Sequence, residues 1–231
     1  MLEQLVHTPV EANITVPFLL LLLVVLEAVL SADNAIALAS IAQGLEDRRL
    51  QRRALDIGLI GAYFLRVALI LTATWVVQFW QFEVLGAVYL LWLSLRYFTA
   101  PEDEGHHHQS FRFASLWQAI PVIAFTDLAF SLDSVTTAIA IADQTWLIIV
   151  GGTIGVIALR FLAGLFIRWI SEYENLEDAG YVAVSFVGLR LLLKALAPAL
   201  VPPEWVEISA IALIFLWGFS EKVTPEPSDP E

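Results

Sequence analysis

The chain contains no cysteine, and that absence excludes disulfides, thiol catalysis and thiolate metal ligands together. Charge is also scarce. Only 16% of the 231 residues are Asp, Glu, Lys or Arg, against 58% hydrophobic residues and a mean hydropathy of +0.74. That balance lies outside the range of ordinary soluble domains. Basic residues are the scarcer sign: 12 Lys and Arg stand against 24 Asp and Glu, and the net charge of −12 argues against a nucleic-acid partner. Histidine occurs only at His7 and in the run His106–His108, outside every apolar stretch. No Ser–His pair, His-Glu-x-x-His motif or nucleotide-binding glycine loop is present, so no enzymatic activity and no resident cofactor is expected. The opening MLEQLVHTPVEAN lacks the basic n-region of a signal peptide, so the first apolar stretch is expected to be a retained span.

What the chain does have is apolar runs long enough to cross a bilayer core, which needs about 20 residues. About seven spans are expected, near 16–43, 55–77, 84–98, 117–142, 146–169, 180–198 and 205–220. The densest basic cluster, Arg48, Arg49, Arg52 and Arg53, lies in the loop after the first span. The positive-inside rule therefore predicts an outside N-terminus and a cytoplasmic C-terminus. Arg96, Arg112, Arg168 and Lys222 fall on the same side as that cluster, and Lys194 is the exception. Trp75, Trp80, Trp117, Trp146, Trp169, Trp205 and Trp217 fall close to the expected span ends, where interfacial anchors belong.

Inside the first span lies Glu27-Ala-Val-Leu-Ser31-Ala-Asp33-Asn34, and inside the fourth lies Asp127-Leu-Ala-Phe-Ser131-Leu-Asp133-Ser134. The two copies share one offset of 100 residues and continue alike into small, apolar runs. A second correspondence, Gly61-x4-Arg66 with Gly155-x4-Arg160, and Leu95-Arg96 with Leu189-Arg190, has an offset of 94. Spans one to three thus correspond to spans four to six. An odd number of spans per repeat makes the halves cross the membrane in opposite senses, the architecture of many secondary transporters. The expected fold is all-α and polytopic: repeat one over 16–98, a cytoplasmic loop over 99–116, repeat two over 117–198, an extra helix over 205–220, and a short, polar, disordered tail over 221–231.

Carboxylates at membrane depth are costly unless paired, hydrated or bound to a cation, so the duplicated acids are the functional candidates. On an unbroken helix at about 100° per residue, Glu27, Ser31 and Asn34 share a face, and Asp33 points roughly 120° away. Asp127, Ser131 and Ser134 share a face in the same way, with Asp133 apart. Two geometries fit. Either the helices break near Ser31–Asn34 and Ser131–Ser134 and gather all the side chains into one site, the geometry favoured here, or Asp33 and Asp133 face neighbouring helices with Arg66 and Arg160 as partners. Pro121 is expected to kink the fourth span. The metal-ligand candidates are Glu27, Asp33, Asn34, Asp127, Asp133 and Ser134, with Ser31 and Ser131 either ligands or packing residues and Arg66 and Arg160 structural counter-ions. An all-oxygen set suits Mg²⁺, Mn²⁺ or Ca²⁺ and suits Zn²⁺ or Cu⁺ poorly. Four carboxylates against two guanidinium groups leave the charge of one divalent ion. Emptying such a site crowds carboxylates in low dielectric, so proton uptake would accompany release, although Na⁺ coupling fits the residues equally. The competing structural reading is interhelical hydrogen-bond glue with buried counter-ions. The run Glu102-Asp-Glu-Gly-His106-His107-His108 reads as a solvated connector rather than a metal-collecting loop. Arg190 and Lys194 either pair with acids or snorkel outward.

LEAVLSADNAIALASIA and FTDLAFSLDSVTTAIAIA, with LRFLAGLFIRWISEYENLED and VGLRLLL in the second half, resemble the TerC family of integral membrane proteins over residues 16–198. Thr136 departs from that pattern, since many members carry Pro there. The resemblance implies Mn²⁺ export across the plasma membrane, with Glu27, Asp33, Asn34, Asp127, Asp133 and Ser134 as the matching motif positions. It also leaves a second function open, a membrane-protein assembly factor such as those tied to thylakoid biogenesis. The expected partners are a divalent metal ion and the lipid bilayer; the oligomeric state is left open, a homodimer included.

Overall fold

A computed structural model describes residues 17–25, 27, 31–76, 78–99, 113–142 and 144–223. The described residues are helical throughout, apart from short connections. Residues 17–25 form α1, followed by α2 (Ser31–Gln43), α3 (Arg48–Val76), α4 (Trp80–Phe98), α5 (Leu116–Ile141), α6 (Thr145–Ile170), α7 (Leu176–Leu196), a 3₁₀ turn (Pro198–Leu200) and α8 (Glu204–Gly218). Helices α3, α5, α6 and α7 are each long and apolar enough to cross a membrane, and α8 is a shorter apolar helix. Their outer faces are as apolar as their inner ones: Phe64, Leu71, Leu85, Phe125, Phe161, Leu213 and Leu216 are all exposed. An exposed surface of this kind on every long helix suits hydrocarbon rather than water. The protein is an all-α, polytopic integral membrane protein.

Helix α3 begins seven residues before the expected span, so the four arginines form its first turns rather than a loop. The local cause is Asp47, whose carboxylate accepts the Arg49 N–H at 2.7 Å and caps the helix, while arginine itself favours helix. The tryptophans singled out above do lie at helix ends, with Trp75 closing α3, Trp80 opening α4, Trp117 opening α5 and Trp146 opening α6. The run His106–His108 and the tail beyond Val223 lie outside the described residues.

Helix α2 is the innermost element. Ala35, Ile36, Ala37, Leu38, Ala39, Ile41 and Ala42 are buried on all sides, as expected of a helix that is apolar all round. Its small side chains let neighbours approach closely. Helix α6 packs along α2, α5 along α3, and α4 along α7, with α8 against α7. The α4–α7 pair is pinned by stacked Tyr97 and Tyr181 rings, 3.8 Å between centroids, and by Ser94 donating to the Tyr181 carbonyl at 2.9 Å. Gly58 on α3 is set against Ile123 of α5, where a Cβ would lie 2.6 Å from the Ile123 Cγ2. These contacts fix α3, α5 and α6 around the segment that carries Glu27.

Candidate functional site

Helix α5 carries the second motif without interruption from Leu116 to Ile141, continuing through Pro121 and through Ser131–Ser134. In the first copy, Ser31 through Asn34 are likewise consecutive residues of α2. The expected break is therefore absent from the second copy, whereas in the first copy α2 begins at Ser31 and the residues just before it lie outside those described. The physical reason lies in the serines. Ser131 Oγ donates to the Asp127 carbonyl at 2.7 Å, and Ser31 Oγ donates to the Glu27 carbonyl at 2.5 Å. Each hydroxyl satisfies the helix from within, by the same four-residue back-bond in both copies. The proton of each serine hydroxyl is thus given to the backbone, which leaves its oxygen lone pairs free to accept or to coordinate.

Unbroken α5 keeps the roughly 120° separation between Asp127 and Asp133, and the two acids part accordingly. Asp127, fully buried, turns toward α3; Asp133 turns toward α7. Arg66 of α3, 2% exposed, lies between the first acids of both copies. Its Nη1 donates to Glu27 Oε1, and its Nη2 lies 3.4 Å from each carboxylate oxygen of Asp127. Its Nε has no hydrogen-bond partner among the described residues. Beside this triad is a cavity of about 20 Å³ whose polar lining is Glu27, Arg66 and Ser134, with Gly151 and Gly152 of α6 on another wall. A space of that size admits one water molecule or one bare ion.

The backbone of α6 makes room for Glu27. A Cβ on Gly155 would collide with the Glu27 Cγ. Its repeat equivalent, Gly61, has only an ordinary contact in the same position, 3.8 Å to the Ala124 Cβ.

Asp133 belongs to a second cluster. It accepts from Arg190 at 2.6 Å and Lys194 at 2.5 Å, both on α7. Arg190 also pairs with Glu207 of α8 at 2.8 Å, and Lys194 approaches Glu83 of α4 at 3.8 Å. This cluster ties α4, α5, α7 and α8 together. Asp33 is 5% exposed and has no ion pair among the described residues. Its Oδ1 accepts the Asn34 backbone N–H at 3.0 Å, and the charges acting on it are those of Glu207 and Asp133, of its own sign. Asn34 is buried beside it, also 5% exposed.

Three expectations are corrected. Arg160 is not a counter-ion of the motifs: it pairs with Asp56 on a partly exposed face, because the side of α6 that meets Glu27 carries glycine instead. The cations that hold Asp133 are Arg190 and Lys194, so the balance of four acids against two guanidinium groups does not describe the site. The six candidate ligands also do not meet as one constellation in this conformation. Among the described residues, no three His, Cys, Asp or Glu side chains are placed to hold one metal ion. Glu27, Asp127 and Ser134 come together around Arg66 and the cavity, whereas Asp133 and Asp33 lie apart from them. Glu83 and Glu207 were missed by sequence reasoning. Glu207, a 6% exposed acid three residues into the mainly apolar α8, carried the same signal as the motif acids.

A family model described as the integral membrane protein TerC family matches residues 14–224. The chain belongs to the TerC family. Among its relatives are two Bacillus subtilis proteins named as uncharacterized membrane proteins. YceF is 35% identical over 176 residues, covering 73% of this chain and 68% of its own; YkoY is 32% identical over 225 residues, covering 87% and 68%. The Escherichia coli K12 inner membrane protein YgdQ is 26% identical over 188 residues, covering 75% of this chain and 79% of its own. No solved structure matches.

Proposed function

We propose that this TerC protein exports a divalent metal ion, Mn²⁺ foremost, from the cytoplasm by alternating access of two inverted halves. The observation that carries the reading is the meeting of Glu27 and Asp127 on one buried guanidinium. These are equivalent positions of a duplicated motif, and a small cavity whose polar lining is Glu27, Arg66 and Ser134 adjoins them. Equivalent acids drawn from two halves to one point suit a site at a repeat interface. The packing supports the repeat. Exchanging α2 with α5, α3 with α6 and α4 with α7 converts the α3–α5 contact into the α6–α2 contact and returns α4–α7 to itself. Carboxylate, amide and hydroxyl oxygens favour a hard cation, and Mn²⁺ is the member of that class implied by the family resemblance.

The reading includes an N-terminus outside and a C-terminus in the cytoplasm, based on the four arginines that open α3. It places the protein in the plasma membrane, consistent with the name of its relative YgdQ, an inner membrane protein. No catalysis is assigned to it. The test is radioactive Mn²⁺ movement in proteoliposomes, comparing wild type with Asp33→Asn and Asp127→Asn. Transport by wild type that is lost in both variants is the expected result. A folded, correctly oriented wild type that moves neither Mn²⁺ nor Ca²⁺ nor Mg²⁺ would refute it and favour the assembly role.

A further inference from the structure

We infer that Arg66 is the protein's own resident cation: its guanidinium holds Glu27 and Asp127 while the site is empty and is displaced when the metal ion arrives. The inference rests on the export reading and adds to it the mechanism by which the empty carrier is neutralised.

The ion pairs of the two polar clusters differ in kind. Asp133 is held closely by two cations, Lys194 at 2.5 Å and Arg190 at 2.6 Å, and Arg190 Nε lies 2.8 Å from a Glu207 oxygen. That cluster is a brace between helices. Arg66 sits in a looser socket. It bonds closely to Glu27 but stands 3.4 Å from both oxygens of Asp127, outside the charge-assisted range. Its Nε is buried with no hydrogen-bond partner among the described residues. The wall beside its aliphatic arm is glycine: a Cβ on Gly152 would be 3.7 Å from the Arg66 Cδ, so the arm has room to shift. The cavity of about 20 Å³ at the same place offers space for one unhydrated ion among the oxygens of Glu27 and Ser134.

Charge bookkeeping fits an exchange. Two carboxylates with one guanidinium carry a single net negative charge; the same carboxylates with a divalent ion, and the guanidinium withdrawn, carry none. The repeat equivalent Arg160 is engaged with Asp56 elsewhere, so one guanidinium serves the acids of both halves. An emptied carrier with Arg66 back in place does not face the bilayer with two uncompensated carboxylates, so its return needs no second ion at this site. Without Arg66, the empty form is the costly one, and the metal-loaded form is favoured.

The test separates binding, exchange and net flux in the full chain. In Arg66→Gln, Mn²⁺ should bind at least tenfold more tightly in detergent, and Mn²⁺–Mn²⁺ exchange across proteoliposomes should persist. Net efflux into metal-free buffer should fall at least tenfold. Arg66→Lys, which keeps the charge, should recover most of the net efflux. Wild-type affinity and wild-type net flux in Arg66→Gln would overturn the inference while leaving the export reading intact. So would loss of Mn²⁺ binding in an Arg66→Gln protein that melts at the wild-type temperature, since Arg66 would then organise the site rather than compete for it. A wild type that neither binds nor moves Mn²⁺ overturns the export reading itself. Should Arg66→Gln fail to fold, Gly152→Cys in the otherwise cysteine-free chain supplies the answer. Its rate of modification by a small methanethiosulfonate reagent should rise severalfold on adding Mn²⁺, as the arm beside it withdraws, and an unchanged rate would overturn the inference.

Discussion

Alanine at Gly155 probes the site from the α6 side. The added methyl would overlap the Cγ of Glu27, in the middle of that side chain rather than at its free end, so either the helices separate or Glu27 leaves Arg66. Forcing a methyl into a filled interior costs about 1–3 kcal/mol. Against that stands the gain of about 0.5–1 kcal/mol for replacing glycine by alanine within a helix. Weakening of the Glu27–Arg66 pair adds to the loss, so a net destabilisation of about 1–2 kcal/mol is expected. Gly61 is the internal control. It occupies the equivalent place in the first half, and its added methyl would meet Ala124 at an ordinary 3.8 Å, so only the propensity gain remains. The two variants should therefore differ by about 2 kcal/mol, roughly thirtyfold in the unfolding equilibrium. Unfolding in mixed micelles titrated with a denaturing detergent measures the difference directly, and Mn²⁺ transport should fall in Gly155→Ala alone. Equal stability and equal transport in the two alanine variants would refute the placement of Glu27 against α6, and with it the site built on that contact.

The remaining predictions concern the acids and their cations. Asp33→Asn should leave stability within about 1 kcal/mol of wild type, because no ion pair is broken. Its loss of transport would then be a loss of function alone, visible as an unchanged unfolding curve beside an inactive proteoliposome. Arg190→Gln leaves Asp133 with Lys194 and removes the pair made with Glu207; breaking a buried pair of this kind costs about 3–5 kcal/mol, so unfolding should shift strongly and α8 should become the most protease-sensitive helix. Arg160→Gln removes a partly exposed pair, worth at most about 1 kcal/mol, and should leave both the unfolding curve and Mn²⁺ transport unchanged. A transport defect in Arg160→Gln with normal stability would restore that residue to the site.

The positions of the helices, and the presence of the motif acids inside them, were legible in the sequence for one reason. A carboxylate or an eight-residue repeat inside an apolar run is conspicuous wherever the chain later places it. Even the parting of Asp127 from Asp133 could be read, since 120° on a helix is a property of the helix alone. The choice of counter-ion was not legible. Arg66 and Arg160 sit at equivalent positions of two similar helices, yet one points into the bundle and the other out of it. That difference depends on how α3 and α6 are rotated about their axes, which is decided by side chains on other helices. Gly155 makes the point: its lack of a side chain admits Glu27, but nothing in the neighbouring sequence says which residue will fill the space. The start of α3 was missed for a smaller reason. Four arginines were read as a loop by composition, whereas a single cap at Asp47 and the helix preference of arginine itself were enough to wind them.

Two clusters of paired acids and cations inside one small bundle would be redundant if both were braces. Their geometry divides the work. The cluster of Asp133, Arg190, Lys194 and Glu207 connects α5, α7 and α8 through close ion pairs. It can hold those elements as a single body while other contacts change. The cluster of Glu27, Arg66 and Asp127 joins the first acids of both motif copies through one short and two long contacts beside a cavity. A joint of that kind is where two bodies can part, because opening it removes the weaker set of bonds. Asp33 is buried with no ion pair among the described residues, and the charges that act on it, Glu207 and Asp133, share its sign, so a metal cation reaching it would be strongly favoured. Neutralising it should therefore cost transport and little else, a pattern that distinguishes a ligand from a brace.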